Sequence, residues 1–256
     1  MGRHYERKAS RCPVGDKSDH ATFRASTPRQ TDRLRKPIPK MEAFKFTQLK
    51  YIQSAIEYGA FASSIDSPND PYEWQGIRYP ESLKVCCLTS APFKMLMWSH
   101  YAKHTGCRID FFFDERCDGI LRPVTYANEF VDHTALSAKE LVEYLYTKGV
   151  EWRYEDEIRA VWQKEAAAQK RDDSPWIKSL DGNVFLRGTV QRITFGLLSE
   201  KNRDDYLQSL KVIKRANQVR SDDTQIEVCK CRMKNGSYQL TYDGQFDYLE
   251  ELSRLE

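Results

Sequence analysis

From residue 41 onward the chain alternates short apolar runs with helically periodic ones. Phe44-Lys-Phe46 reads as a short strand, after which Thr47 is placed to cap a helix carrying Leu49, Ile52 and Ile56 on one face and stopped by Gly59. Ala60 to Ile65 is a second short apolar run, closed by a Ser-Pro-Asn-Asp-Pro turn at 67 to 71, and Val85 to Leu88 is a third. Ser90 and Pro92 mark a helix start, with Phe93, Leu96, Met97, His100 and Tyr101 at helical spacing before Gly106. Strands at Arg108 to Phe113 and Pro123 to Tyr126 follow. Ser137-Ala-Lys-Glu140 is a capping box opening a helix with Leu141, Val142 and Leu145, and Glu157 to Trp162 is again extended. Beyond a charged helical or loop stretch, Lys164 to Asp173, strands are expected at Val184 to Leu186 and Arg192 to Phe195, and a helix at Ser199 to Val212. A strand pair at Ile226 to Cys231 and Tyr238 to Tyr242 and a terminal helix over 246 to 255 complete the pattern. The elements alternate irregularly, without the long βαβ units of a doubly wound fold. The fold class this predicts is α+β: a mixed, mainly antiparallel sheet with helices packed on it.

Charge changes the picture only when it is divided along the chain. The net charge of +3 hides a surplus of +7 in residues 1–40 and about −4 in residues 41–256. The first segment scatters Arg3, Arg7, Arg11, Arg24, Arg29, Arg33, Arg35 and Lys36 among Ser, Thr and Pro with no hydrophobic period, so it is expected to be a disordered basic tail. Residues 41–256 are expected to form a single domain. The tail is either an arm that binds nucleic acid through phosphate contacts or a solvated leader ahead of a start at Met41. It has no apolar core of a secretory signal, and no later run reaches the eighteen apolar residues of a membrane span, so a cytoplasmic protein with no membrane partner is expected. Seven cysteines, an odd number without a dense framework, read as reduced thiols.

Three motifs carry candidate chemistry. Asn69-Asp-Pro-Tyr-Glu73 is either a structural turn, for which Asn69, Asp70 and Pro71 suffice, or a binding turn, to which Glu73 points. In Met97-Trp98-Ser-His100-Tyr101, Trp98 and Tyr101 share a helical face and are either core aromatics or a wall for a flat ligand. His100, His104 and Cys107 lack the further ligands that zinc sites show, so no metal is assigned. Trp152-Arg-Tyr-Glu155-Asp-Glu157-Ile-Arg159 is the sharpest. An extended chain there places Glu155, Glu157 and Arg159 on one face, where two carboxylates repel and one pKa rises unless Arg159 or Lys148 neutralises it; the bland reading is a surface ion-pair ladder. P-loop, GxGxxG, GxSxG, HExxH and kinase signatures are all missing from the sequence.

With Val124-Thr-Tyr126, Lys148 and Ile193-Thr-Phe-Gly196, these motifs resemble a large bacterial domain-of-unknown-function family with the order NDP[FY]E, MWxHYA, WxYExExR and [IV]xFG, over roughly residues 44–242. More distantly, a strand with basic Lys45, a helix, a second strand and a late ExE strand look like the three-motif arrangement of ADP-ribosyltransferases. That resemblance implies NAD as a substrate, Glu157 as the catalytic carboxylate with Glu155 and Arg159 beside it, and Trp98 or Tyr101 stacking on the nicotinamide. Lys45, Asn69, Asp70, Glu73 and His100 are the remaining candidate NAD contacts. Lys45 stands where those enzymes usually carry Arg or His, and no clear second-motif hydroxyl is visible beyond Thr89 and Ser90. The expectation is an effector that modifies a nucleic acid or protein in bacterial defence or toxicity. A metal-dependent phosphodiesterase built on Asp70, Glu73, Glu155 and Glu157, or a noncatalytic binding module, are the alternatives.

Overall fold

The period-two stretches become strands, and their registers decide where each polar side chain points. The computed structural model describes residues 41–65, 70, 72, 83–114, 117, 120–129, 136–163, 176–237, 239–243 and 246–256, which belong to one compact unit. The expected basic tail, Asn69, Glu73 and the charged stretch 164–173 lie outside the described residues.

In chain order the strands are β1 (Met41–Thr47), β2 (Ala60–Ser64), β3 (Leu83–Thr89), β4 (Cys107–Phe113), β5 (Arg122–Pro123), β6 (Thr125–Ala127), β7 (Thr147–Gly149), β8 (Glu157–Gln163), β9 (Ile177–Leu180), β10 (Asn183–Leu186), β11 (Thr189–Phe195), β12 (Glu227–Met233) and β13 (Leu240–Asp243). The helices are α1 (Ile52–Tyr58), α2 (Met95–His100), α3 (Ala138–Tyr144), α4 (Arg203–Gln218) and α5 (Tyr248–Leu255). Among the described residues eleven strands form one sheet in the order β13-β12-β11-β4-β1-β3-β2-β10-β9, with β8 on the free side of β3 and β5 on β8. Within it β11 and β12 run parallel and the other described pairs are antiparallel; β6 and β7 form a separate parallel pair. The protein is α+β, with a mainly antiparallel sheet.

Registry sorts the two faces. Phe44 lies opposite Asp110 and Thr89, Phe46 opposite Arg108, Thr89 opposite Glu157, and Cys87 opposite Arg159. Alternation puts their neighbours Ala43, Ile109, Phe111, Cys86, Leu88 and Ala160 on the other face. There they pack with Ile52 of α1, Tyr206, Leu210 and Ile213 of α4, and Leu252 of α5 as the main core. Helices α1, α4 and α5 thus cover one face, and the polar residues of the sheet collect on the other, where α2 packs on Phe46 and α3 beside Leu83 and Val85. Strand β1 meets β3 at the single pair Phe44 and Thr89, whereas seven pairs join β1 to β4 and seven join β3 to β8.

Several local expectations are corrected. Thr47 ends β1, and the helical stretch opens at Gln48 with a 3-10 turn over Leu49–Tyr51 and no side-chain cap. Helix α2 begins at Met95, not near Ser90, because the Ser90 hydroxyl instead donates to the Asp156 carbonyl at 3.2 Å. The capping box at Ser137 and Glu140 is formed as expected. Strands β7 and β9 had no clear sequence signal.

Two motif glycines act where backbones touch. After α2 the chain turns through Lys103 and His104, with φ of 50° and 56°, and Gly196 donates to the Gly106 carbonyl at 2.8 Å. A Cβ on Gly106 would lie 2.1 Å from the Thr47 carbonyl oxygen, and one on Gly196 would lie 2.4 Å from that of His104. Backbone cannot yield as a flexible side chain does, so Gly196→Ala is expected to destabilise the fold by about 1–3 kcal/mol, read by thermal denaturation. An unchanged melting temperature would show that the two turns part freely.

Candidate active site

The third motif builds the centre of the site, but not as a continuous strand. Val150–Glu155 is a 3-10 helix; Asp156 then takes the left-handed conformation, with φ of 42° and ψ of 52°, and β8 starts at Glu157. The expectation of one extended face through Glu155, Glu157 and Arg159 is therefore corrected. The helix end and the strand start meet at a corner, and the corner brings the two carboxylates together. The end of β3 fastens it: the Thr89 hydroxyl donates to the Glu155 carbonyl, and the Ser90 amide to that of Asp156 at 3.0 Å.

Between the carboxylates sits Lys148 of β7, whose ammonium donates to Glu155 Oε2 at 2.6 Å and to Glu157 Oε2 at 3.2 Å. Arg159 grips Glu157 with Nε to Oε1 at 2.7 Å and Nη2 to Oε2 at 2.8 Å, and its Nη1 donates to the Leu145 carbonyl at 2.7 Å. The hydroxyl of Tyr101 donates to Glu155 Oε1. All four charged groups are at most 6% exposed. A surface ion-pair ladder is thereby ruled out, since buried charges must be matched group by group. The Lys148 ammonium also lies 4.7 Å from the centre of the Trp152 ring, and the Glu157 amide donates to the Tyr126 hydroxyl at 2.8 Å.

The environments push the two acids apart. Burial alone would raise Glu157, but the Arg159 and Lys148 charges, with hydrogen bonds from Arg159 and the Cys87 thiol, outweigh it and hold the carboxyl at about 2. Burial dominates at Glu155 and raises it in spite of Lys148 and Tyr101. Burial also pushes Tyr126 up to about 12, which keeps its hydroxyl neutral. Because the folded-state value of Glu157 is depressed, its contribution to stability is complete above about 4.5 and is lost as pH falls towards about 2. Urea midpoints are expected to drop over that window, by on the order of 3 kcal/mol in unfolding free energy. Glu155 works in the opposite sense, since its protonation relieves a burial cost.

Tyr101, Lys148, Glu155, Glu157 and Arg159 line a cleft of about 310 Å3 where β1 and β3 part, together with Lys45, Phe44, Phe46, Met97 and Thr89. The volume is that of a small-molecule site. Of the residues singled out in the sequence, Lys45, Thr89, Tyr101, Lys148, Glu155, Glu157 and Arg159 converge here. Trp98 does not. It is 1% exposed and packed edge-on against Phe46 at 5.0 Å in a small core with Met97 and Ala102, so it has no face left for a ligand. His100 points outward and meets the Tyr154 hydroxyl at 2.8 Å, away from the cleft lining. Asp70 is buried and accepts from the Tyr72 amide at 3.0 Å, the bond of a structural turn, and does not line the cleft. Asn69 and Glu73 lie outside the described residues. Lys148 takes the neutralising place that the sequence offered it beside Arg159, and it does so as a hub bonded to both carboxylates, whereas Tyr126 stood in a quoted motif with no role assigned.

Among the described residues no group of three or more His, Cys, Asp or Glu is placed to hold a metal ion. Six cysteines are thiols outside any disulfide, and burial pushes Cys86 up to about 11. No described helix is long and apolar enough to cross a membrane. No family model, curated protein or solved structure matches the chain.

Proposed function

We propose that this cleft binds NAD as an ADP-ribosyl donor and that the chain is an ADP-ribosyltransferase-like effector. Its acceptor in this reading is a nucleic acid or protein, in the bacterial defence or toxin setting suggested by the resemblance of its motifs. The observation that carries the reading is the pair of buried carboxylates with pKa values pushed in opposite directions at one wall of a ligand-sized cleft. Glu157, ionised throughout the neutral range, suits a group that faces developing positive charge. Glu155, with a raised pKa, suits a group that exchanges a proton. Among the described residues Lys45 has no carboxylate against its ammonium, which donates to the Cys87 carbonyl at 3.0 Å, so it adds positive charge suited to a pyrophosphate.

The chemistry balances without a further reactant. The bond between ribose C1′ and the nicotinamide nitrogen breaks, its electron pair leaves on neutral nicotinamide, and Glu157 stabilises the positive ribose. The acceptor then bonds to C1′ and its proton passes to Glu155. The metal-dependent alternative has weaker support, because Arg159, Lys148 and Tyr101 already occupy the carboxylate oxygens that a cation would need.

Proton NMR of the full chain with NAD tests the reading. NAD lines are expected to broaden and free nicotinamide to accumulate, faster as pH rises through the Glu155 titration, with that pH dependence lost in Glu155→Gln. NAD that is neither broadened nor cleaved would overturn it.

A further inference from the structure

A second cavity, of about 140 Å3, lies against the apolar side of β1, walled by Ala55 of α1, Ala60 and Phe61 of β2, and Ile109 and Phe111 of β4. An apolar cavity of about 150 Å3 is enough to hold benzene, so this one fits a single ring. Among the described residues Lys45 alone lines both this cavity and the cleft. Registry explains how. Lys45 lies opposite Ile109, on the apolar face, yet its ammonium reaches the Cys87 carbonyl of β3, because β1 and β3 are joined only at Phe44 and Thr89. A cation whose partner is a carbonyl, beside an apolar ring-sized space, is half of a recognition site for an acid: the ring takes the wall and the carboxylate takes the ammonium.

We propose that this cavity binds a single-ring aromatic carboxylate and that the bound acid draws Lys45 from Cys87, lowering the affinity of the cleft for anions. The two sites are coupled through one side chain, and the coupling is reciprocal: an anion in the cleft weakens the aromatic acid by the same factor. Neither the site nor the coupling depends on the cleft being a transferase, and the probes below do not include NAD.

The test is fluorine NMR of the full chain with 4-fluorobenzoate. Saturable broadening is expected, lost in Ala55→Leu, which fills the cavity and leaves the cleft lining untouched, and weakened at least tenfold in Lys45→Met. Circular dichroism establishes that each variant is folded, and Lys45→Met decides the matter if Ala55→Leu is not. Fluorobenzene, which has no carboxylate, is expected to bind wild type and Lys45→Met alike. Inorganic pyrophosphate is expected to weaken 4-fluorobenzoate in wild type and not in Lys45→Met. Absent binding, binding undiminished in a folded Ala55→Leu, or equal binding of the acid by wild type and Lys45→Met would overturn the site. An affinity indifferent to pyrophosphate would overturn the coupling.

Discussion

Glu157→Gln is expected to leave the chain folded and to slow nicotinamide release by about 10²–10³, the loss seen when one fixed electrostatic group is taken from a transition state. The amide keeps an oxygen for Arg159 and nearly the same volume, so β8 has no steric reason to move. The amide NH2 faces the Arg159 and Lys148 donors, and the lost charge is expected to cost on the order of 3 kcal/mol, as protonation does, within the stability of a typical domain. What it cannot keep is the negative charge facing the ribose. Its effect should therefore fall on turnover, with NAD still broadened by the variant. Release at an undiminished rate from a folded Glu157→Gln would remove Glu157 from the chemistry and leave the buried quartet as a structural device.

Arg159→Met carries the largest expected effect on stability. Arg159 is 1% exposed and gives both bonds of a bidentate pair to Glu157 as well as one to the Leu145 carbonyl. Removing it leaves Glu157 buried with a share of Lys148, and a buried pair broken on one side costs about 3–5 kcal/mol. Against the total of about 5–15 kcal/mol of a typical domain, that is enough to lower the urea midpoint severely. The double change Glu157→Met with Arg159→Met is expected to recover most of the loss, because Lys148 keeps Glu155 and two apolar side chains replace two charges. A single variant within 1 kcal/mol of wild type would mean that the pair is not held as described.

Most of the architecture was legible because burial prints periodicity. The alternation at Phe44, Val85, Ile109 and Ile193 marked β1, β3, β4 and β11, and the reciprocal capping at Ser137 and Glu140 was visible letter by letter. Strand β9, with residues Ile177–Leu180, is too short and too exposed to print a pattern. The site was half legible for a related reason. Glu155, Glu157 and Arg159 stood out as charged residues between Trp152 and Trp162, but the same letters fit a surface ladder, and periodicity could not separate a strand from a 3-10 helix turning into one. Trp98 misled because a helical face shared with Tyr101 does not say which of the two meets a cleft: Tyr101, at the helix end, reaches Glu155, while Trp98 one turn earlier is sealed under Phe46. Gly106 and Gly196 owe their place to backbones that meet across long sequence separations, which no local pattern encodes.

The left-handed residue between the two glutamates turns a vague motif into a discriminating one. A β-branched side chain pays a steric cost at the φ of 42° found at Asp156, whereas Asp, Asn or Gly is at ease there. An ordinary strand that happens to read Glu-x-Glu is free to carry valine or isoleucine in the middle. Any true relative that keeps this quartet should therefore keep Asp, Asn or Gly between its carboxylates, so a single letter separates chains that share the site from chains that merely share the spelling.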